Sequence, residues 1–169
     1  SHNPPGYNGY KVYGPDGGQA VSPLVDEIIA AIKKVDIFAD VKRITRAEAV
    51  DRGLLQEVDP ALDRRYLDKV AALSLSSPQT KIKTVFTPLH GTGSVYIPGL
   101  LSRAPCIDYI PVEEQMVPDS EFSTVRVPNP EDPAALEMAL ARAEQEGADL
   151  VLATDPDCDR VGAAARDAT

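Results

Sequence analysis

The sequence predicts an α/β fold, with a layered α/β/α domain carrying a mixed sheet over residues 58–169, preceded by a partial α/β domain over residues 1–57. Three observations point there. From Lys81 onward, segments with strand character alternate with segments of helical periodicity. Two Asp-Pro pairs, Asp59-Pro60 and Asp132-Pro133, each open an apolar helical pattern. Asp149–Ala153 is a short, nearly continuous apolar run, as a strand covered on both faces requires.

The elements follow in order. Pro4, Pro5, Gly6 and Gly9 stand among polar residues and predict a tight surface loop over residues 1–9. Tyr10–Tyr13 is a strand candidate, and Gly14-Pro15-Asp16-Gly17-Gly18 forces a turn. Ser22-Pro23 is expected to supply an N-cap and a first-turn proline for a helix running through Lys33 or Lys34, with Leu24, Ile28 and Ile32 on its buried face. Residues 35–58 mix short apolar groups with charges and read as a connection. Asp59-Pro60 opens a helix to about Leu75, with Leu62, Tyr66, Val70 and Leu73 sharing a face, and Ser74–Gln79 is a loop. The regular part is then strand Thr84–Pro88, loop His90–Gly93, helix Ser94–Ser102 and strand Ile107–Val112. An irregular stretch runs to Pro130. Asp132-Pro133 caps a further helix that stops at Gly147, with Leu136, Ala139, Leu140 and Ala143 inward.

With 169 residues, 43% of them hydrophobic and 25% charged, the chain can bury one ordinary core or divide between a small domain and part of another. No apolar run approaches the roughly 18 residues of a membrane span, and no basic-then-apolar stretch resembles a signal peptide. The cytoplasm is the expected compartment. Cys106 and Cys158 are far apart in sequence and form no CxxC pair, so free thiols in a reducing compartment are expected. A net charge of −9 without clustered Lys and Arg argues against a nucleic-acid groove. It does not exclude small anionic substrates, because a metal ion and a few cations can reverse the local sign. The chain opens at Ser1 inside a His-Asn-Pro-Pro-Gly loop, and further sequence is expected upstream.

Asp155-Pro156-Asp157-Cys158-Asp159-Arg160 follows the strand Asp149–Ala153 directly, at the carboxyl end where open α/β sheets place their sites. Carboxylates at i, i+2 and i+4 of a kinked segment can turn to one side, and holding three negative charges that close calls for a cation. A calcium EF-hand loop wants Gly at its sixth position and Glu at its twelfth. Counting from Asp155 gives Arg160 and Arg166 instead, so magnesium is favoured over calcium. Three protein oxygens leave an octahedral magnesium short of ligands, which predicts a phosphate nearby. The plainer alternative is a polar turn whose Asp side chains bond their own backbone. Cys158 alternates with the acids and is expected to be a packed thiol pointing away from the metal.

The second constellation is Ser1-His2-Asn3-Pro4-Pro5-Gly6-Tyr7-Asn8-Gly9-Tyr10-Lys11. A loop hydroxyl can act as nucleophile or phosphate carrier if a neighbour handles its proton, and His2 and Lys11 are candidates. By composition alone, a turn Ser beside a solvated His is the commoner outcome.

This segment resembles the active-site loop of the α-D-phosphohexomutase superfamily, and Asp155–Arg160 is similar to that family's Asp-x-Asp-x-Asp-Arg pattern, about 150 residues further on. Thr87-Pro88-Leu89-His90-Gly91-Thr92-Gly93 resembles the Gly loop opening the family's second domain, and Pro128-Asn129-Pro130-Glu131 resembles a further motif of that domain. The resemblance implies that residues 1–57 are the C-terminal part of the family's domain I and residues 58–169 its domain II. It implies that Ser1 is the phosphoserine, that its phosphate joins Asp155, Asp157 and Asp159 on Mg²⁺, that His2 and Lys11 assist proton transfer, and that Arg160 balances phosphate charge. His90 is weighed between direct substrate or phosphate contact and a hydrogen bond that fixes its loop. A zinc site from His2, His90 and the cysteines lacks ligand spacing.

The family's chemistry passes the serine phosphate to a phosphosugar, forms a bisphosphorylated sugar and recovers a phosphate from the other position. The family is normally built from four domains, so the sugar- and phosphate-binding loops of domains III and IV are outside this chain, and the piece alone is expected to lack turnover. Thr154–Gly162 together with Tyr13–Gln19 looks more like the phosphoglucomutase and phosphopentomutase branches than the phosphomannomutase branch. The competing class is a non-catalytic module that holds a divalent cation.

Overall fold

The computed structural model describes residues 2–3, 6–7, 11–75 and 80–167. The chain divides into two compact units, residues 1–7 with 60–169 and residues 8–59.

The larger unit carries helix α3 (Pro60–Ala71), strand β1 (Ile82–Thr87), helix α4 (Gly93–Leu101), strand β2 (Ile107–Pro111), helix α5 (Glu137–Glu146), and strands β3 (Leu150–Thr154) and β4 (Val161–Ala165). Helices α1 (Leu24–Ile32) and α2 (Arg46–Asp51) belong to the smaller unit. The strands form one mixed sheet in the order β2-β1-β3-β4. β1 pairs parallel with both β2 and β3, and β3 pairs antiparallel with β4. The chain leaves β1 towards one side through α4 and returns across it through α5. With right-handed crossovers, that reversal puts the two helices on opposite faces. The mixed α/β sheet is the architecture expected from the sequence.

The reversal also creates a switch point between the carboxyl ends of β1 and β3, the place where such sheets bind ligands. Beneath it, Val85, Val112, Ala139, Ala143, Ala148 and Val151 form the core, with Ile110, Met138 and Ala164 packed against them. Phe86, Leu89 and Ala153 are buried as well.

α5 is preceded by a 3-10 turn, Pro133–Leu136, whose start is capped by the Asp132 carboxylate accepting from Ala134 N–H at 3.0 Å. Gly147 closes the helix in the left-handed conformation at φ 65°. Leu136, Ala139 and Ala143 point inward as expected, but Leu140 is 40% exposed.

Other expectations are corrected. α3 ends at Ala71, short of Leu75, and Leu62, Tyr66 and Leu73 are exposed. Tyr66 meets α4 even so, joined by Asp63 and Leu67: the Tyr66 and Tyr96 rings lie edge-on with centroids 5.8 Å apart, Tyr96 Oη donates to Asp63 at 3.0 Å, and a Cβ on Gly99 would lie 3.4 Å from Leu67. α1 starts at Leu24, one residue past the proline, and Ser22 caps no backbone; its hydroxyl bonds the Asp26 carboxylate. Leu24 and Ile32 are exposed, leaving Ile28 half-buried. The Tyr10–Tyr13 strand reduces, among the described residues, to a bridge between Tyr13 and Gln19 around the expected turn, where Gly17 takes φ 80°. The connection 35–58 contains α2, whose cap is Thr45 Oγ1 accepting from Glu48 N–H at 3.2 Å. Thr45-Arg46-Ala47-Glu48 is a capping-box pattern, so the signal was present. β4 had no comparable signal, since Val161-Gly162-Ala163-Ala164-Ala165 has little β-propensity. No helix of the described residues is long and apolar enough to cross a membrane.

Candidate metal centre

Register fixes the acidic loop. β3 and β4 pair up to Thr154 opposite Val161, so residues 155–160 are the connection of an antiparallel hairpin at the switch point. Within it Cys158 takes φ 64°, a left-handed conformation costly for a residue with a Cβ, and its N–H bonds the Asp155 carbonyl at 2.9 Å. That reversal brings carboxylate oxygens of Asp155, Asp157 and Asp159 within 4.8 Å of one another.

The three acids are not equivalent. Asp157 and Asp159 are exposed, whereas Asp155 is fully buried. Its Oδ1 accepts from the backbone N–H groups of Asp159 at 3.1 Å and Arg160 at 3.0 Å, which fixes the turn. Its Oδ2 is buried without a hydrogen-bond partner among the described residues. Burial, then the nearby Asp157 carboxylate, push the Asp155 pKa above the usual carboxylate range, against the opposing pull of the Arg160 N–H. The polar-turn reading thus describes one oxygen of Asp155 and leaves the other unexplained. An orphaned buried oxygen between two further carboxylates has the donor set of a hard divalent cation, so the residues present fit magnesium.

Two other segments hold this hairpin connection. A Cβ on Gly91 would lie 2.2 Å from the Cα of Pro156, and Thr92 donates to the Pro156 carbonyl from its N–H at 2.8 Å and its hydroxyl at 3.1 Å. A Cβ on Gly93 would lie 2.6 Å from Thr154 Oγ1 and 3.4 Å from the Cys158 thiol. The Gly loop after β1 therefore sits directly on the acidic loop after β3, and the glycines are there because nothing larger fits. On the far side, a Cβ on Gly162 would lie 2.3 Å from the Pro130 carbonyl, and Arg160 Nη1 bonds Glu131 Oε1 at 3.3 Å. The Pro128–Glu131 segment thus supports the exit of the loop and engages its arginine.

His90 is 7% exposed. Its Nδ1 lies 2.8 Å from the Val117 carbonyl and its Nε2 2.8 Å from Thr124 Oγ1, with Phe122 edge-on to the ring. Both ring nitrogens thus have partners inside the chain. His2 is half-buried in the larger unit, and Lys11 belongs to the smaller one. Ser1 lies outside the described residues. Sequence reasoning gave no role to Gln115, Thr124 or Glu131. Glu131 stood within a recognised motif, whereas Gln115 and Thr124 lie in the irregular stretch after β2 and carried no signal.

The sheet thus brings an acidic hairpin loop and a Gly loop together at its switch point, the layered α/β/α class of domain. The profile for the phosphoglucomutase/phosphomannomutase α/β/α domain II matches residues 64–168, and that for domain I matches residues 1–37. This chain belongs to the phosphoglucomutase/phosphomannomutase family. It is 37% identical over 170 residues to a phosphoglucomutase of Staphylococcus epidermidis, covering 99% of this chain and 31% of the relative. It is 37% identical over 171 residues to a probable phosphomannomutase of Haemophilus influenzae, covering 99% of this chain and 34% of that protein. The chain thus spans about a third of the length of these curated relatives. A crystal structure of a family protein from Burkholderia thailandensis shares the fold, with a TM-score of 0.53 and 18% identity over 62% of this chain and 21% of that one. Members of the family are phosphohexomutases, a class of isomerase.

Proposed function

We propose that this chain is the domain I–II portion of a phosphoglucomutase, interconverting glucose 1-phosphate and glucose 6-phosphate through a phosphorylated Ser1 and a bisphosphorylated sugar. The observation that carries the reading is the orphaned Oδ2 of buried Asp155, set between Asp157 and Asp159 at the switch point of the sheet. In this reading Asp155, Asp157 and Asp159, with the phosphate on Ser1, hold Mg²⁺. When bound, the ion neutralises developing charge on phosphoryl oxygens, the main requirement of phosphoryl transfer. His2 and Lys11 manage the proton of the serine and sugar hydroxyls, and Arg160 exchanges Glu131 for a phosphate oxygen. His90 acts by fixing the Gly loop. The binding site for the phosphosugar is completed by domains III and IV outside this chain, neither nucleic acid nor membrane takes part, and the setting is cytoplasmic.

The relatives carry both phosphoglucomutase and phosphomannomutase names, so mannose phosphates are the second substrate to assay. The test begins with the full-length protein, in which peptide mapping should find phosphate on Ser1. Metal binding that persists in Ser1→Ala with no serine phosphate in the wild type would instead identify a cation-binding module. For the chain itself, Asp155→Asn should abolish any Mg²⁺-dependent rise in melting temperature without lowering the stability of the metal-free protein. A buried site that raises a carboxyl pKa disfavours charge, so a neutral amide is tolerated there. A Mg²⁺ shift in Asp155→Asn equal to that of the wild type would sink the assignment.

A further inference from the structure

The Gly loop has a backbone it would not adopt unaided. Leu89 and His90 are consecutive residues with positive φ, 47° and 64°, a left-handed conformation that side chains with a Cβ disfavour. Both are buried, and the next two residues carry the contacts to Pro156. Whatever holds Leu89 and His90 in place therefore also sets the position of the acidic loop.

A chain of hydrogen bonds does this, and the donor at each link follows from its chemistry. The Val117 carbonyl can only accept, so His90 Nδ1 carries the proton, and in the neutral ring Nε2 accepts from the Thr124 hydroxyl. Thr124 Oγ1 in turn accepts from Gln115 Nε2 at 3.0 Å. Gln115 Oε1 accepts from the Thr87 hydroxyl at 2.6 Å, and Thr87 Oγ1 accepts from Leu89 N–H at 3.0 Å. The Gln115 carbonyl closes the ring by accepting from His90 N–H at 2.9 Å. Gln115 is 1% exposed and sits at the centre, its Oε1 and backbone carbonyl holding Thr87 and His90 while its side-chain N–H reaches Thr124.

We propose that Gln115 and Thr124 are positioning residues for the metal centre, acting through the backbone of Leu89–Thr92 on Pro156 and the acidic loop. They set the loop in which Asp155, Asp157 and Asp159 converge. The proposal rests on the metal reading above, and outer supports of a metal site are known to govern affinity as well as stability.

Thr124 is solvent-exposed, so its replacement leaves the core intact. Thr124→Val removes the hydroxyl at nearly constant volume, and Thr124→Ser retains it. Titration of this chain with Mn²⁺, followed by electron paramagnetic resonance, should show an affinity about 3- to 10-fold weaker for Thr124→Val and wild-type affinity for Thr124→Ser, a milder loss than residues hydrogen-bonded directly to metal ligands give. Amide exchange at Thr92, Asp159 and Arg160 should accelerate in Thr124→Val while exchange in β1 and β3 is unchanged. Asp157→Asn separates the two ideas. If it weakens Mn²⁺ binding but Thr124→Val does not, the positioning role is wrong and the metal reading stands. If Asp157→Asn binds Mn²⁺ like the wild type, the metal reading falls, and exchange at Thr92, Asp159 and Arg160 alone decides: unchanged rates in Thr124→Val overturn the positioning role too.

Discussion

Around β1 and β3, Val85, Ala139, Ala143 and Val151 pack against one another below a pair of interlocked loops. Over residues 11–59, Val21, Ile37, Leu54 and Phe38 are exposed, Phe38 at 91%, and neither α1 nor α2 has a buried residue. Both regions contain helices with readable ends. What separates them is whether the helix has a partner surface, because most helical stability in proteins comes from packing an apolar face. The acids sit in the packed region, where a loop can be held to fractions of an ångström by the sheet below and by glycine contacts alongside.

The largest effect is expected where the two loops meet. Gly91→Ala puts a Cβ about 2.2 Å from Pro156 Cα and 2.6 Å from its carbonyl oxygen, with backbone on both sides and no flexible side chain to yield. The loops must part, at a cost of about 3 kcal/mol in unfolding free energy, the upper end for overpacking. Mg²⁺ binding should fail with it. Denaturant titration that places Gly91→Ala within experimental error of the wild type would show that the Gly loop and acidic loop are not locked together.

Next comes a pair of substitutions that compares the regions directly. Val85→Ala opens a cavity in the core and should cost about 2 kcal/mol, whereas Ile32→Ala on α1, 48% exposed, should cost no more than about 0.5 kcal/mol. Equal costs would mean that α1 has a packing surface that these residues do not reveal.

The same contrast explains what was legible. Helix ends were legible at Asp132, whose carboxylate caps Ala134 N–H, and at Gly147, whose backbone turns left-handed, because both signals act within a few residues, although the equally local Thr45 cap of α2 lay in a segment read as a connection. Faces were readable only where the partner element was close to the pattern's ideal. Ala139 and Ala143 turn inward, but α3 meets α4 through Asp63 and Leu67 as well as Tyr66 and leaves Leu62 exposed, since the presence of Tyr96 and Gly99 on α4 decides the contact. At the site, the acidic triplet announced itself by charge crowding. The distinction between Asp155 and its two exposed neighbours did not, because it depends on which carboxylate falls under the Gly loop. Gln115 and Thr124 were illegible for a related reason: their partners are up to 34 residues away, and no local pattern encodes that separation.

The smallest expected effect lies at the edge of the packed region. The Asp119 carboxylate accepts from the Ser123 hydroxyl and from the N–H groups of Ser123 and Glu121, and these bonds, led by the Ser123 hydroxyl, lower its pKa to about 2. A carboxyl held below its unfolded value contributes stability that is present above the unfolded pKa of 3.8 and is lost as pH falls through that value towards about 2. Asp119→Ala should therefore be less stable than the wild type near neutral pH by a small margin, and the margin should shrink over that acid window until the two proteins coincide. The turn also precedes Phe122 and Thr124, which contact the His90 ring, so it tests how far the rigid region extends. If the two stability curves remain parallel down to pH 2, the turn is not held by the ionised carboxylate, and the ordered support of the Gly loop ends closer to Thr124.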